Sequence, residues 1–177
     1  GGFEALSSVD LGASGNVDTR PDTLKLGFSA RTGGWTNKHM IDWVSVDAAP
    51  LLNLDGDNSS SSLQGQFKTS FVSVGIAIAV VDDDMDVSDY NGVNLTGGTI
   101  ALTGVLDGAN ESLTSTLGTS SGSVTIAGNG TATITLTGTD THATYQAILE
   151  SIQYNNTTGT VTEGDRTVTL TVDDGDT

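Results

Sequence analysis

The residues of this chain with the clearest chemical potential are acidic and follow an apolar run. Asp82, Asp83, Asp84 and Asp86 come directly after the apolar stretch that ends at Val81. Carboxylates so close together repel one another unless water or a cation lies between them. Calcium binds six to eight oxygen ligands at about 2.3–2.6 Å, many of them from Asp side chains in turns. The run is therefore either a solvated acidic surface or a cation site, and we favour the cation site.

The charge of the chain argues against several classes of partner. Its 177 residues include 22 Asp and Glu against 6 Lys and Arg, which gives a formal net charge of −16. Nucleic acids and anionic membrane surfaces bind clusters of Lys and Arg, so we expect no nucleic-acid partner. We also expect no membrane insertion, because no apolar stretch approaches the roughly 20 residues that span a bilayer. The acidity fits calcium loading or solubility in a salty medium, and we favour calcium.

Several motifs of common enzymes are missing from the sequence. There is no Cys to act as a nucleophile, and the two His residues, His39 and His142, are far apart. Neither the His-Glu-x-x-His motif of zinc proteases nor the Gly-x-x-x-x-Gly-Lys phosphate loop occurs. We therefore do not expect an enzyme.

The distribution of apolar residues predicts an all-β fold. Short runs of Val, Ile, Leu and Thr alternate with turns rich in Gly, Asn and Asp, as in β-sandwiches. Between Ala132 and Thr137, Thr alternates with Ile and Leu, which predicts a strand with one polar and one buried face. The predicted strands are Leu24–Ala30, Met40–Val46, Val72–Val81, Thr99–Val105, Ser123–Ile126, Ala132–Thr137, Ile152–Tyr154 and Arg166–Val172.

One segment has the periodicity of a helix. Tyr145, Ile148 and Leu149 follow the i, i+3, i+4 spacing, and the pair Asp140-Thr141 supplies a candidate N-cap. This pattern predicts one short helix that crosses an end of the sandwich, with Tyr145 and Leu149 as its anchors. We expect His142, beside the helix start, to be exposed to solvent.

The composition changes near Pro50. Both Trp residues and most of the basic residues lie before this point, and the Asp-rich loops lie after it. We therefore predict one domain over residues 1–49 and a second domain over residues 50–177.

Seven segments of the second domain occur in an order known from one protein family. They are Pro50–Asp57, Val81–Asp86, Leu106–Glu111, Leu136–Gly138, Tyr145–Asn156, Gly164–Val168 and Val172–Gly175. Together they resemble the cadherin-like repeats of very large bacterial surface adhesins, including those of the RTX type. The resemblance implies a Greek-key, cadherin-like β-sandwich that acts in cell adhesion as a calcium-stiffened spacer of a tandem array. It implies an extracellular or cell-surface location, with neighbouring repeats of the same polypeptide or copies of itself as partners.

This resemblance also implies a set of calcium ligands at a sandwich end, where a shared ion would remove freedom between modules. The expected ligands are Asp82, Asp83, Asp84 and Asp86, then Asp107 and Glu111, and finally Asp173 and Asp174. The stretch Asp55–Asn58 resembles the start of an EF-hand loop, but Gln66 replaces the Glu at its twelfth position, so it is the weaker candidate. The resembling repeats continue with a further strand, so we expect an open edge that invites pairing with another chain.

Residues 24–46 resemble the closing strands of an L-type, legume-lectin-like jelly roll. The stretches Gly27–Gly34 and His39–Trp43 carry this resemblance. It implies a partial jelly-roll segment in the first domain, with cell-surface glycans as possible ligands. The candidate sugar contacts are Gly33, Gly34, Trp35 and Asn37. A Trp beside glycines can stack on a sugar face, but we favour a core or interface role for Trp35 and Trp43.

Three functions remain open after these observations. The leading one is a calcium-binding extracellular adhesion or spacer module of a large surface or secreted protein. The first alternative is a carbohydrate-binding, lectin-type module. The second alternative is a self-assembling fibre or matrix subunit, whose copies complete one another by strand exchange.

Overall fold

Antiparallel strands and one α-helix make up the part of the chain that the structure describes. This computed structural model describes residues 49–71, 76–90, 92 and 94–175. All of them belong to one compact unit, Ser45–Thr177. The predicted all-β class with one short helix is confirmed. The expected strands Leu24–Ala30 and Met40–Val46, and with them nearly all of the predicted first domain, lie outside the described residues.

The strands pair in three groups, and every pair is antiparallel. In chain order the elements are β1 (Leu51–Asn53), β2 (Ile78–Ala79), β3 (Asp86–Ser88), β4 (Leu95–Thr103), a single-turn 3₁₀ helix (Gly108–Asn110), β5 (Glu111–Ser115), β6 (Ser120–Ser121), β7 (Val124–Ala127), β8 (Thr133–Asp140), α1 (His142–Glu150), β9 (Ile152–Asn156) and β10 (Thr167–Asp173). A five-stranded sheet has the order β10-β4-β8-β7-β6, and a three-stranded sheet has the order β2-β9-β5. Strands β1 and β3 form a separate two-stranded ribbon.

One hydrophobic core joins the two larger sheets and the helix. The five-stranded sheet contributes Ile126 from β7 and Ile134 and Leu136 from β8, while the other sheet contributes Leu113 and Ile152. The threonines that alternate with these β8 residues are exposed, which confirms the predicted two-faced strand. Burial of each such aliphatic side chain stabilises the fold by about 1.5–3 kcal/mol.

The structure differs from the predicted strand Val72–Val81, and strands β1, β3, β5 and β6 are not among the predicted strands. Of the predicted strand Val72–Val81, the described part contains only the two residues of β2, and Ile76 is 60% exposed instead of facing the core. The alternation ends because the chain bends at Val80 and Val81, whose side chains are both buried. Strand β5 was not predicted because Leu113 is its only apolar residue, so its sequence carries no period-2 pattern.

The helix α1 has the predicted cap and the predicted anchors. The Thr141 side chain accepts a hydrogen bond from the Thr144 backbone N–H at 3.2 Å, and Tyr145, Ile148 and Leu149 are fully buried. The predicted exposure of His142 is wrong, because its side chain is half-buried and its Nε2 atom is buried without a hydrogen-bond partner among the described residues. No helix in the described part of the chain has the length and apolar character needed to cross a bilayer.

The cap gives a first testable prediction. We expect Thr141→Ala to lower the free energy of unfolding by about 1 kcal/mol, because the Thr144 N–H loses its side-chain acceptor and keeps only the Thr141 carbonyl. Thr141→Ser keeps the hydroxyl and is the matched control, with an expected loss of only a few tenths of a kcal/mol. Urea unfolding followed by circular dichroism measures both, and equal losses in the two variants would contradict the prediction.

Candidate metal centre

Five Asp side chains from two distant parts of the sequence meet next to the β1–β3 ribbon. Two of them, Asp55 and Asp57, lie in the loop after β1, and the other three form the turn Asp82–Asp84 before β3. Carboxylate oxygens of Asp55, Asp57 and Asp84 lie within 4.8 Å of one another, and so do those of the turn itself. Asp84 belongs to both groups and links them. We call these five residues the acidic cluster.

Backbone hydrogen bonds hold the β1 loop against the turn. The Asp84 carboxylate accepts the N–H of Gly56 and the N–H of Asp57, each at 2.8 Å. In the opposite direction, the Asp82 N–H donates to the Leu54 carbonyl at 2.9 Å. A Cβ atom at Gly56 would lie 2.7 Å from the Asp84 carbonyl oxygen, so only glycine allows this approach. The two segments are therefore tied together by the same residue that links the two carboxylate groups.

Asp55 is the one fully buried member of the acidic cluster. Its carboxylate accepts hydrogen bonds from the Ser59 N–H and the Ser60 N–H, both at 2.9 Å, and from the Ser60 hydroxyl. The bond from the Ser60 hydroxyl is the main cause that lowers the pKa of Asp55, against the opposing effect of burial. Within the described ranges no ion pair joins Asp55 to a Lys or Arg. A buried charge without a counter-charge is costly, so a cation beside Asp55 would stabilise it.

The turn shows the expected repulsion between neighbouring carboxylates. The pKa of Asp83 is raised by its hydrogen bond with Asp82, by the negative charge of Asp82 and by that of Asp84. A divalent cation placed among these oxygens would relieve the same repulsion.

The donors of the acidic cluster suit a hard cation. All of them are oxygens, and hard divalent ions prefer carboxylate, carbonyl and water ligands. An ionised carboxylate has about four lone-pair sites. Oxygens that already accept one N–H can therefore still bind an ion. The cluster can hold a metal ion, with Asp55, Asp57 and Asp84 as the residues best placed to do so.

Asp107 and Glu111 form a different, mixed-charge cluster around Arg166. The guanidinium Nη2 lies 3.1 Å from Asp107 Oδ2, and its Nε lies 3.0 Å from Glu111 Oε2. The Tyr154 hydroxyl donates to Glu111 Oε2, and the Asn156 amide donates to Asp107 Oδ2, both at 2.8 Å. The structure thus brings Asp107 and Glu111 together, as the sequence suggested, but with a cationic partner of their own. That these two residues bind calcium stays a prediction.

The environment of Glu111 keeps its carboxylate ionised. Burial alone would raise its pKa, but hydrogen bonds from Arg166, from the Asp107 N–H, from the Tyr154 hydroxyl and from the Leu106 N–H outweigh burial. Together they lower the pKa of Glu111 to about 2. The residue therefore contributes a fixed negative charge to the fold.

The other predicted ligands lie outside the acidic cluster. Asp86 is an exposed residue of β3, opposite Asn53. Asp173 ends β10, where its carboxylate accepts the Gly175 N–H at 2.7 Å, and Asp174 next to it is buried. The candidate sugar contacts Gly33, Gly34, Trp35 and Asn37 fall among the residues that the structure leaves undescribed.

The signal for Asp55 and Asp57 in the sequence is the Asp-x-Asp-Asn spacing at the start of the β1 loop. This signal is weak, because Gln66 replaces the Glu that an EF-hand loop carries at its twelfth position. The third carboxylate of the group comes instead from Asp84, 27 residues after Asp57. A partner so distant in sequence cannot be found from loop spacing alone.

The segment Gly118–Gly122 has the Gly-x-Ser-x-Gly spacing of a hydrolase nucleophile, with Ser120 at its centre. In hydrolases this motif forms a sharp turn between a strand and a helix. Here Ser120 lies in β6, which forms a hairpin with β7. The fold around this motif therefore gives no support to a nucleophile.

Comparisons of the chain with protein-family models, with curated proteins and with solved structures find no match. A function for the chain must therefore be argued from its own residues and their geometry.

Proposed function

We propose that the chain is a calcium-binding adhesion or spacer module of a large extracellular or cell-surface protein. The observation that carries the proposal is the convergence of Asp55, Asp57 and Asp84 within 4.8 Å, with Asp55 fully buried. Calcium fits better than magnesium, because magnesium demands near-ideal octahedral geometry and keeps most of its water. Calcium accepts irregular sets of carboxylate and carbonyl oxygens, which is what two loops meeting side by side provide.

The ion would stiffen the module by joining the β1 loop to the turn before β3. That turn also contacts the helix, because the Gln146 side-chain amide donates to the Met85 carbonyl at 2.8 Å. A ligand that binds only the folded state raises the free energy of unfolding, by about 2.7 kcal/mol at a hundred times its Kd. Calcium would therefore make the β1 loop, the turn before β3 and the adjoining helix α1 more rigid.

Two further observations support the spacer role. The fold is all-β and antiparallel, and the order of its acidic loops and its helix resembles cadherin-like repeats. Extracellular calcium modules typically bind with Kd values of about 10⁻⁴–10⁻³ M, which suits a site with few protein carboxylates. The excess of Asp and Glu is consistent with calcium as a partner.

Thermal unfolding with and without calcium tests the proposal. We expect 5 mM CaCl2 to raise the Tm by several degrees above its value in EGTA, because the ion binds the folded state only. The same concentration of MgCl2 should raise it much less. An identical Tm in calcium and in EGTA would contradict the proposal.

Two matched variants locate the site. Asp57→Asn removes one charge from the acidic cluster but keeps an oxygen that can accept the Ser59 N–H. We expect it to abolish most of the calcium-induced rise in Tm. Asp86→Asn removes a charge nearby, from an exposed residue outside the cluster, and should leave that rise unchanged. If Asp86→Asn removed the rise and Asp57→Asn did not, the site would lie elsewhere.

A further inference from the structure

Strand β10 forms one edge of the five-stranded sheet, and its outer side has no partner strand within the described part of the chain. It pairs with β4 in an unbroken register, from Thr167 opposite Thr103 to Asp173 opposite Gly97. Natural proteins normally protect edge strands with charges, prolines or bulges. From Thr167 to Val172 the strand has no charged residue and no proline, and its ladder has no bulge.

The backbone groups that face this open edge belong to the apolar residues of β10. The hydroxyls of Thr103 and Thr96 on β4 donate to the carbonyls of Thr167 and Asp173. The odd-numbered residues of β10 therefore direct their carbonyls towards β4. Because successive residues of an antiparallel strand alternate in direction, the N–H and C=O groups of the even-numbered residues point outwards.

The side chains of these even-numbered residues leave apolar surface at the edge. Val168, Leu170 and Val172 pack against the core but are only partly buried. The threonines between them are exposed on the opposite face. A strand added at this edge would thus find both unpaired backbone groups and apolar side chains to cover.

We propose that this edge binds β10 of a second copy of the chain, in antiparallel orientation, to form one continuous ten-stranded sheet. The strand is complementary to itself. A register centred on Leu170 pairs all seven residues and places Val168 opposite the Val172 of the other copy. It also places Thr169 opposite Thr171, so that apolar residues meet on one face and threonines on the other.

Net charge is the main force against this pairing. Each copy carries a formal charge of −16, whereas the strand from Thr167 to Val172 carries none. Salt screens the repulsion without weakening the backbone hydrogen bonds. Dimerisation should therefore increase with salt concentration. The proposed dimer does not depend on the proposed calcium site.

Sedimentation velocity of the full chain in EGTA tests the pairing. Between about 10 µM and 1 mM protein, we expect dimers that increase with protein concentration and between 0.05 and 0.5 M NaCl. The double variant Thr169→Lys with Thr171→Lys places like charges opposite each other and should weaken dimerisation at least tenfold. The control, Thr133→Lys with Thr135→Lys, adds the same charges to exposed positions on β8, inside the sheet, and should dimerise like the unchanged chain.

Two results would overturn the pairing. One is a strictly monomeric chain at every concentration and salt. The other is a β10 double variant that dimerises as well as the unchanged chain, while circular dichroism shows both to be folded. The failure of this proposal would leave the calcium proposal intact, because EGTA is present throughout.

Disulfide cross-linking tests the register. The chain has no cysteine, so introduced thiols react only with each other. Residues opposite each other without mutual hydrogen bonds have Cα atoms about 4.5 Å apart, within disulfide range. A mixture of Thr169→Cys and Thr171→Cys chains should form the mixed disulfide on mild oxidation. Cross-linking of Thr169→Cys chains to each other in preference to the mixed pair would overturn the register centred on Leu170.

Discussion

Arg166→Met is expected to lower the free energy of unfolding by about 3–5 kcal/mol. The guanidinium balances the charges of Asp107 and Glu111, and the Glu111 side chain has no exposed surface. It also donates to the carbonyls of Thr162 and Gly164, which fixes the chain just before β10. Without Arg166, a buried carboxylate would keep its desolvation penalty and lose its counter-charge. Urea unfolding measures the loss.

Lys68→Met is the matched control, because Lys68 is exposed on a loop and is the other described cation. We expect its effect to stay within about 0.5 kcal/mol. Adding Glu111→Gln to Arg166→Met should recover part of the lost stability, because the uncompensated buried charge is removed. A loss below about 1 kcal/mol for Arg166→Met would show that the ion pairs contribute little.

A loss of about 3 kcal/mol of stability is expected between pH 5 and pH 2. The pKa of Glu111 falls from its usual 4.5 in the unfolded chain to about 2 in the folded one. Because the folded pKa is the lower one, this contribution is complete above the unfolded pKa and is lost as the pH falls towards 2. Each pKa unit corresponds to about 1.36 kcal/mol. Urea unfolding at a series of pH values measures the slope.

Glu111→Gln should remove most of this slope, because a Gln side chain does not titrate. The lowered pKa values of Asp55, Asp107 and Asp140 leave a smaller slope of the same sign, and the raised pKa of Asp83 opposes it. Glu163→Gln changes an exposed Glu and should leave the curve unchanged. Equal slopes for the unchanged chain and Glu111→Gln would contradict the assignment of this pH dependence to Glu111.

The elements that were predicted from sequence are those whose signal is local. The helix α1 carries its cap at Thr141 and its apolar face at Tyr145 and Leu149 within nine residues, and β8 carries a complete period-2 pattern. Strand β5 has one apolar residue, so only its pairing with β9 defines it. The acidic cluster has the same limit, because only its local part could be predicted from sequence. The turn Asp82–Asp84 is visible as a run of charge, whereas its contact with the β1 loop is a long-range product of the fold.

The partner of Glu111 could not be predicted for the same reason. Arg166 lies 55 residues further along the chain, and nothing in the sequence around either residue indicates the pairing. Both acidic groups were visible as sequence features. Only the fold distinguishes the group that has an arginine from the group that has no basic partner among the described residues.

The contact between the β1 loop and the Asp84 turn has a mechanical consequence. Asp57 and Asp84 are joined by a hydrogen bond across 27 residues, and the β1–β3 ribbon pairs the residues on either side of them. Tension applied across Leu51 and Ser88 is carried by the ribbon and then by this contact, so the chain between Asp57 and Asp84 bears none of it. Once the ribbon, this contact and the pairing of β2 with β9 have all separated, the segment between Asp57 and Asp84 can extend by roughly 90 Å. The extra length of this segment becomes available only after the acidic cluster has opened.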